Sequence, residues 1–345
     1  MIKTIVVDDS ALMRRMINDI LKEDKDIEVI STASDGEIAI KKIIDLKPDV
    51  VTLDLEMPKL DGLDVIKRLK NQLNEQDMPK IIILSAQTDA EKTLQALELG
   101  AIDFISKPSG NISLDLKKIS EDIITKIKTA AKSILQKIEQ TKTKPKKSTF
   151  YSTRKKIIVI ASSTGGPQTL EALLRQIPKN IPAPILIVQH MPAGFTNAFA
   201  KRLNANCELE IKEAEDGDEL KDGCVLIAPG GYHMELVTDI EGYEGEIKLN
   251  QLPAELGVRP NANRLFKSVA KIFQDNTIGV ILTGMGNDGT EGAREIKKHS
   301  GLIISQSERT SIIYGMPKSV ADANLTDMIL DLDNIPVALL QALDV

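Results

Sequence analysis

The stretch KIIVIASSTGGP, residues 156–167, decides the fold class of the second half of the chain. A short β-branched run leads directly into a polar loop with two glycines, and Pro167 suits the first turn of a helix. A strand that passes through a tight loop into a helix is the unit of a parallel α/β sheet. The two serines of this loop allow two interpretations, because a serine ahead of a helix usually caps it but can also act as a nucleophile.

Alternation of such runs with amphipathic stretches extends over most of the chain. Strands are predicted at 4–8, 28–32, 49–55, 80–86, 103–106, 156–161, 184–189, 224–230, 277–283 and 302–305. Residues 234–250 lack a helical period, and their glycines indicate an antiparallel hairpin insertion. We therefore predict an α/β protein with two doubly wound parallel-sheet domains, the first flavodoxin-like and the second Rossmann-like with the β-hairpin insertion.

Length and charge suggest where these domains end. The chain has 345 residues, more than one ordinary core, and residues 126–156 hold eleven lysines and arginines against a single acid, Glu139. We predict a first domain at 1–122, a basic helix and linker at 123–155, and a second domain at 156–345. The basic segment is interpreted as a solvated tether, with a patch that binds polyanions or a membrane surface as the alternative.

Composition argues against several classes of protein. A net charge of −6 and the lack of a basic recognition helix predict no binding to nucleic acid. The cysteines, Cys207 and Cys224, are too few for a disulfide framework and fit a reducing compartment. Asp8 and Asp9 break the first apolar run, and no run reaches the length of a membrane span. We therefore expect a cytoplasmic protein without direct membrane insertion.

Charged and polar side chains mark the strand ends of the first domain. Asp8 and Asp9 follow the first predicted strand, Asp54 lies near the end of the third, Ser85 ends the fourth, and Lys107 follows the fifth. The carboxyl ends of parallel strands share one edge of a sheet. Three carboxylates crowded at that edge favour Mg²⁺, and a lysine opposite them could hold a phosphoryl oxygen. This pattern predicts phosphoryl transfer to one carboxylate.

In the second domain a serine, a histidine and an aspartate each follow a predicted strand. Ser162 and Ser163 follow the first, His190 follows the second, and Asp288 lies just beyond the strand at 277–283. These are the parts of a nucleophile, a base and a group that orients the base. The G-x-S-x-G signature of hydrolases is absent. Spacing alone therefore leaves two alternatives open, namely that the serines only cap a helix and that the histidine is structural.

The stretch GMGNDG, residues 284–289, offers another alternative. It matches the G-x-G-x-x-G pattern of dinucleotide sites, follows a predicted strand and opens a helix, and Glu308 lies 19 residues beyond it. Asp288 would place a carboxylate where the pyrophosphate must bind, and the two negative charges would repel each other. The same carboxylate is well suited to orient a histidine.

The first domain resembles the response-regulator receiver domain through VVDDS (6–10), LDLEMPKLDG (53–62), LSA (84–86) and FISKP (104–108). The resemblance implies that Asp54 is the phosphoacceptor and that Asp8, Asp9 and Asp54 bind Mg²⁺. It implies that Lys107 is the lysine typical of receiver sites, and that Ser85 and Phe104 are the switch pair. Phe104 stands where many receivers have tyrosine, which changes hydrogen bonding at the switch.

The second domain is similar to the chemoreceptor glutamate methylesterases of the CheB family. The resemblance is carried by SSTGGP (162–167), QHMPAGFTNAFAKRLN (189–204), APGGYHMEL (228–236), ILTGMGNDG (281–289) and YGMPKSV (314–320). It implies that Ser163, the serine directly before TGG, is the nucleophile, that His190 is the general base and that Asp288 orients it. It further implies oxyanion and backbone support from Met285 and Thr164.

This resemblance implies a chemotaxis response regulator that is activated by phosphorylation. It would hydrolyse glutamate methyl esters on methyl-accepting chemoreceptors, releasing methanol, and deamidate selected receptor glutamines. Its partners would be these receptors and a histidine kinase, and ester hydrolysis would need no cofactor beyond Mg²⁺ at the receiver. A pure binding module with a degenerate second domain is the alternative. Two stretches depart from the family pattern, Ala161-Ser162 and Asn261-Ala262-Asn263.

Overall fold

The computed structural model of the protein describes residues 1–86, 89–107, 112–133, 155–238 and 245–344, without the side chains of 112–119. The chain divides into two compact units, Met1–Leu135 and Gln136–Val345. The predicted turn of the hairpin at 239–244 and most of the predicted linker lie outside the described residues.

The first unit is a five-stranded parallel sheet in the order β2-β1-β3-β4-β5. Its strands are β1 (Ile2–Val7), β2 (Ile27–Ala33), β3 (Val50–Asp54), β4 (Lys80–Ser85) and β5 (Asp103–Ser106). Its helices are α1 (Ala11–Lys22), α2 (Gly36–Leu46), α3 (Gly62–Gln72), α4 (Ala90–Glu98) and α5 (Ile112–Lys132). The strand order reverses between β1 and β3, which opens a crevice beyond their carboxyl ends.

Helix α5 continues past the predicted boundary at 122. Its residues Ile123, Ile127 and Ala130 are buried, and Lys128 of the same helix pairs with Asp24 and Asp26 of the first unit. The helix at the start of the basic segment therefore packs within the first unit, because its apolar face recurs at helical spacing between the lysines. The exact domain boundaries stay a prediction.

The second unit is a seven-stranded parallel sheet in the order β14-β13-β12-β6-β7-β9-β8, with β10 and β11 as a separate antiparallel pair. The strands are β6 (Ile157–Ser162), β7 (Ile185–Gln189), β8 (Glu210–Glu213), β9 (Cys224–Ile227), β10 (His233–Val237), β11 (Glu246–Asn250), β12 (Thr277–Ile281), β13 (Leu302–Gln306) and β14 (Met328–Leu330). The helices are α6 (Gly166–Leu174), α7 (Phe195–Asn206), α8 (Ala262–Phe273), α9 (Thr290–Lys298), α10 (Met316–Asp322) and α11 (Ile335–Ala342). The predicted fold class, including the antiparallel insertion, is confirmed.

The edge strands of this sheet, β8 and β14, were not predicted. They have four and three residues, and only Ile211 of either strand is buried. Short edge strands with exposed side chains lack the continuous apolar run that marks a strand between two helical layers. Their pairing is set by the neighbouring strands β9 and β13.

The centre of the second sheet fixes the candidate catalytic residues. Strand β6 pairs with β7 in a register that sets Ser162 opposite Gln189, and with β12 in a register that sets Ala161 opposite Ile281. Residues that directly follow these strands therefore emerge side by side. Helix α8 packs closely on α9, since a Cβ on Gly292 would lie 2.5 Å from Cβ of Phe266.

Candidate functional site

The loop after β6 holds Ser163 at the sheet edge. The Ser163 amide donates to the carbonyl of Thr283 (3.0 Å), and the amide of Gly166 donates to the Ser163 carbonyl (2.8 Å). The loop of Gly284 lies against the serine, because a Cβ there would come within 2.8 Å of the Ser163 Cβ. The N-cap of α6 is Gly165, in the left-handed region at φ +75, so neither serine occupies the cap position.

The two serines have different surroundings. Ser162 has no exposed surface, and its Oγ donates to Oε1 of Gln189 at 2.7 Å. Ser163 is partly exposed, and its Oγ makes no hydrogen bond with any described residue. Of the two hydroxyls, only that of Ser163 can meet a substrate from solvent without breaking a buried hydrogen bond.

His190 and Asp288 form a hydrogen-bonded pair at the same edge. Nε2 of His190 lies 2.7 Å from Oδ2 of Asp288, and both side chains are largely shielded from water. An ionised carboxylate can only accept, so a neutral His190 ring carries its proton on Nε2. This leaves Nδ1 of His190 with a free lone pair, the state a general base requires.

Asp288 is held by main-chain amides as well as by His190. Its Oδ2 accepts from the amide of Ala262 (2.7 Å), and its Oδ1 accepts from the amides of Asn263 (3.1 Å) and Gly289 (2.9 Å). Burial alone would raise the pKa of the Asp288 carboxyl, but the hydrogen bonds and the charge of His190 outweigh it and lower that pKa. The carboxylate is therefore kept ionised and in one orientation.

Residues 261–263, the stretch that departs from the family pattern, form the support for Asp288. The side chain of Asn261 caps α8 by accepting from the Arg264 amide. Oδ1 of Asn263 accepts from the amides of Gly289 (3.1 Å) and Gly292 (2.8 Å). Sequence reasoning missed this role. An asparagine before an amphipathic helix indicates an N-cap, but the sequence does not show that this helix begins beside Asp288.

The same contacts argue against a dinucleotide at residues 284–289. Two of the amides at the start of α9, those of Gly289 and Gly292, are already bound by oxygens of Asn263 and Asp288. An anion at this helix end would have to displace both side chains and approach a buried carboxylate.

The structure does not form every contact of a complete triad. No hydrogen bond joins Ser163 Oγ to His190, although both are described residues. Such contacts are often long in free enzymes and tighten only when substrate binds. Thr164 directly follows Ser163 and is buried, and its carbonyl accepts from Oγ1 of Thr283. Met285 directly follows Gly284, and its side chain is exposed. Their oxyanion roles stay predictions.

In the first unit, the predicted carboxylates come together. Oxygens of Asp8, Asp9 and Asp54 lie within 4.8 Å of one another, with Asp8 and Asp54 buried and Asp9 exposed. Oδ2 of Asp8 is buried and accepts no hydrogen bond from the described residues, although the Lys107 ammonium lies 3.0 Å away. Such an open, all-oxygen acidic cluster fits a divalent cation.

Lys107 lies against this cluster. Its Nζ is 2.7 Å from Oδ2 of Asp54. Burial raises the pKa of the Asp54 carboxyl, and Lys107 only partly opposes it. Burial lowers the pKa of Lys107, but its contacts with Asp54 and Asp8 outweigh burial and raise it. The carboxylates of Asp54 and Asp8 therefore stabilise the charged form of Lys107.

Ser85 and Phe104, the predicted switch pair, are both buried. The Ser85 hydroxyl shares a hydrogen bond of 2.6 Å with Oγ1 of Thr93 on α4 and donates to the Ala86 carbonyl. The ammonium of Lys126 lies 5.5 Å from the centre of the Phe104 ring. Ser85 is thus held by α4 rather than by Asp54, and Thr93 is a partner that sequence reasoning missed.

No helix among the described residues is both long and apolar enough to cross a membrane.

Comparison with protein families matches residues 158–339 to the CheB methylesterase family and residues 4–118 to the response regulator receiver domain. A protein-glutamate methylesterase/protein-glutamine glutaminase 1 of Syntrophomonas wolfei is 44% identical, and the match covers 99% of each chain. One of Pyrococcus abyssi is 43% identical over 99% of this chain and 94% of its own. The crystal structure of the Thermotoga maritima CheB methylesterase catalytic domain covers 55% of this chain and 99% of its own, at 44% identity and a TM-score of 0.53.

Proposed function

The chain belongs to the CheB methylesterase family, with a response regulator receiver domain ahead of the catalytic unit, and we propose that Ser163, His190 and Asp288 carry out its hydrolysis. Its activity is that of a protein-glutamate methylesterase and protein-glutamine glutaminase in chemotaxis, regulated by phosphorylation of the receiver. The observation that carries the assignment is the buried 2.7 Å pair of His190 and Asp288 beside the partly exposed Ser163.

The reaction begins with attack of Ser163 Oγ on the side-chain carbonyl carbon of a glutamate methyl ester. His190 takes the hydroxyl proton on Nδ1, and Asp288 stabilises the resulting imidazolium through Nε2. The carbonyl oxygen becomes an oxyanion, for which the amide of Met285 is the proposed donor with support from Thr164. Collapse of this intermediate breaks the carbon–oxygen bond, and the leaving methoxide takes the proton from His190 to give methanol.

Water then completes the cycle. It attacks the acyl-enzyme, transfers a proton to His190, and releases the glutamate as Ser163 regains its proton. A glutamine side chain follows the same course with ammonia as the leaving group. In this proposal the chemistry needs only the side chains and main-chain amides of this site and water.

Asp54 is the proposed phosphoacceptor of the receiver, with a chemotaxis histidine kinase as phosphodonor. Asp8, Asp9 and Asp54 would hold Mg²⁺, which neutralises the charge of the phosphoryl group as it transfers. Lys107 contacts Asp54 and is placed to bind a phosphoryl oxygen, and Ser85 would leave Thr93 to do the same. The proposed substrates are methyl-accepting chemoreceptors, whose modified side chains must reach Ser163.

A serine-directed fluorophosphonate tests the site assignment on the full-length chain. We expect one adduct per chain, mapped by mass spectrometry of peptides to Ser163, and a rate of labelling that falls steeply in His190→Ala. An adduct on Ser162, or no adduct on a folded protein, would contradict the assignment. The second of these results is what a pure binding module would give.

A further inference from the structure

Gln189, the last residue of β7, lies between the nucleophile and the base. Its side chain is only 2% exposed. The amide nitrogen Nε2 donates to the carbonyl of Ser163 at 3.0 Å and to the carbonyl of His190 at 3.2 Å. The amide oxygen Oε1 accepts from the hydroxyl of Ser162 at 2.7 Å. One buried carboxamide thus contacts the main chain of both catalytic residues.

The orientation of this carboxamide follows from its partners. The carbonyls of Ser163 and His190 can only accept, so the NH₂ group of Gln189 must face them. The oxygen then faces Ser162, whose hydroxyl can donate. If the amide were flipped, its oxygen would face the carbonyls of Ser163 and His190, and neither carbonyl would receive a hydrogen bond from it. Leaving such groups without a donor is energetically costly. The two carbonyls therefore fix which way the amide of Gln189 points, and the Ser162 hydroxyl satisfies its oxygen.

The amide is also tightly enclosed. A Cβ on Gly166 would lie 1.9 Å from Oε1 of Gln189, so the start of α6 closes over it. The amide of Gly166 donates to the same Ser163 carbonyl. The main chain at Ser163 is thereby held by two donors, one from its own loop and one from β7.

We propose that Gln189, whose amide oxygen is bound by Ser162, is a positioning residue that sets the distance between the nucleophile Ser163 and the base His190. The proposal depends on the catalytic roles given above. No hydrogen bond between Ser163 Oγ and His190 forms in this structure, so their direct contact does not hold them at reacting distance. The main chain must do so, and Gln189 joins the two main-chain segments by hydrogen bonds. A misplacement of about 1 Å can cost about 10²-fold in rate.

The matched test compares Gln189→Met with Gln306→Met. Gln306 is also fully buried, accepts from the Thr283 amide (2.7 Å) and donates to the Thr310 carbonyl (2.8 Å). Among the described residues it makes no hydrogen bond to Ser163 or His190, and it reaches the Ser163 loop only through Thr283. Methionine keeps the length of each side chain and removes the donor and the acceptor. Both variants should therefore lose comparable thermal stability, but Gln189→Met should disturb the catalytic spacing far more, because its partners are Ser163 and His190 themselves.

The assay measures methanol release from methylated receptor membranes by the full-length chain with Mg²⁺ and a small phosphodonor. Titration with a fluorophosphonate gives the concentration of competent sites, so kcat is expressed per reactive serine. For Gln189→Met we expect kcat per site to fall by about tenfold to a hundredfold with KM within about twofold. For Gln306→Met we expect kcat per site to stay within about threefold of wild type.

Ser162→Ala is the milder variant, for use if Gln189→Met does not fold. It removes only the hydrogen bond to Oε1 of Gln189, and kcat per site should fall by about twofold to fivefold. An unchanged kcat per site in Gln189→Met, or in Ser162→Ala if the first does not fold, would overturn the positioning role. An equal loss of kcat per site in Gln189→Met and Gln306→Met would do so too. Methanol release by Ser163→Ala would instead refute the proposed nucleophile, whatever Gln189 does.

Discussion

Replacement of Asp288 by asparagine should disable the base without removing it. Oδ1 of the new side chain can keep the bonds from the amides of Asn263 and Gly289. Its NH₂ then stands where Oδ2 accepted from Ala262 and from Nε2 of His190. To pair with that NH₂, His190 must accept on Nε2 and carry its proton on Nδ1. The nitrogen that should take the serine proton is then already protonated.

The contacts set the size of the effect. An Asp→Asn change in a Ser-His-Asp triad lowers kcat by about 10⁴, since the wrong tautomer is held in place. The free energy of unfolding should fall by about 3 kcal/mol, because one charge-assisted bond is lost and the Ala262 amide faces another donor. The opposite amide orientation is worse, since it sets NH₂ against the amides of both Asn263 and Gly289.

The assay is methanol release from methylated receptor membranes under saturating substrate, with Asp327→Asn as the control. Asp327 pairs with Lys297 at the far edge of the sheet, so its variant should keep kcat within about twofold. If Asp288→Asn retained more than about a tenth of wild-type kcat, the proposed role of Asp288 would be refuted, because a base in the wrong tautomer cannot sustain that rate.

Three further predictions concern control, packing and pH. Asp54→Ala should lose the rise in methanol release that Mg²⁺ and a small phosphodonor give to the wild type, and a persistent response would place the switch elsewhere. Gly284→Ala would bring a Cβ within 2.8 Å of the Ser163 Cβ, so kcat should fall by about tenfold or more. Gly217→Ala is the control: its Cβ would have nothing within 4 Å but its backbone at φ +86 is strained for alanine, so it should lose stability and keep kcat. Because the pKa of Asp288 is lowered, its ionised form adds stability above the pKa of the unfolded chain, and that stability is lost as pH falls through the folded pKa. The difference in unfolding free energy between wild type and Asp288→Asn, from denaturant titrations, should therefore shrink as the pH falls below about pH 4. A difference that does not shrink there would show that Asp288 is not held ionised.

Sequence pattern predicted the parts of the fold that depend on buried, continuous runs. The central strands β6, β7 and β12 are such runs, so Ser163, His190 and Asp288 could be assigned to one sheet edge before their distances were known. The short edge strands β8 and β14 have no such run and were missed. They are defined by their pairing with β9 and β13, and a local sequence pattern carries no information about that pairing.

Contacts between polar residues distant in sequence were the least predictable part of the site. Sequence reasoning placed Asp288 beside His190 but could not see that the start of α8 holds it, because this contact depends on how α8 packs against α9 at Gly292. The choice between Ser162 and Ser163 came from family resemblance alone. The burial of Ser162 and its bond to Gln189 now give a physical reason for it.

The most direct test of the account is methanol release from methylated receptor membranes by Ser163→Ala and Ser162→Ala, measured side by side on the full-length chain. Ser163→Ala should lose at least about 10³-fold of the activity, because it removes the proposed nucleophile, and Ser162 is fully buried and bound to Gln189. Ser162→Ala should keep at least about a fifth of it. Substantial methanol release by Ser163→Ala, or its loss in Ser162→Ala alone, would contradict the account.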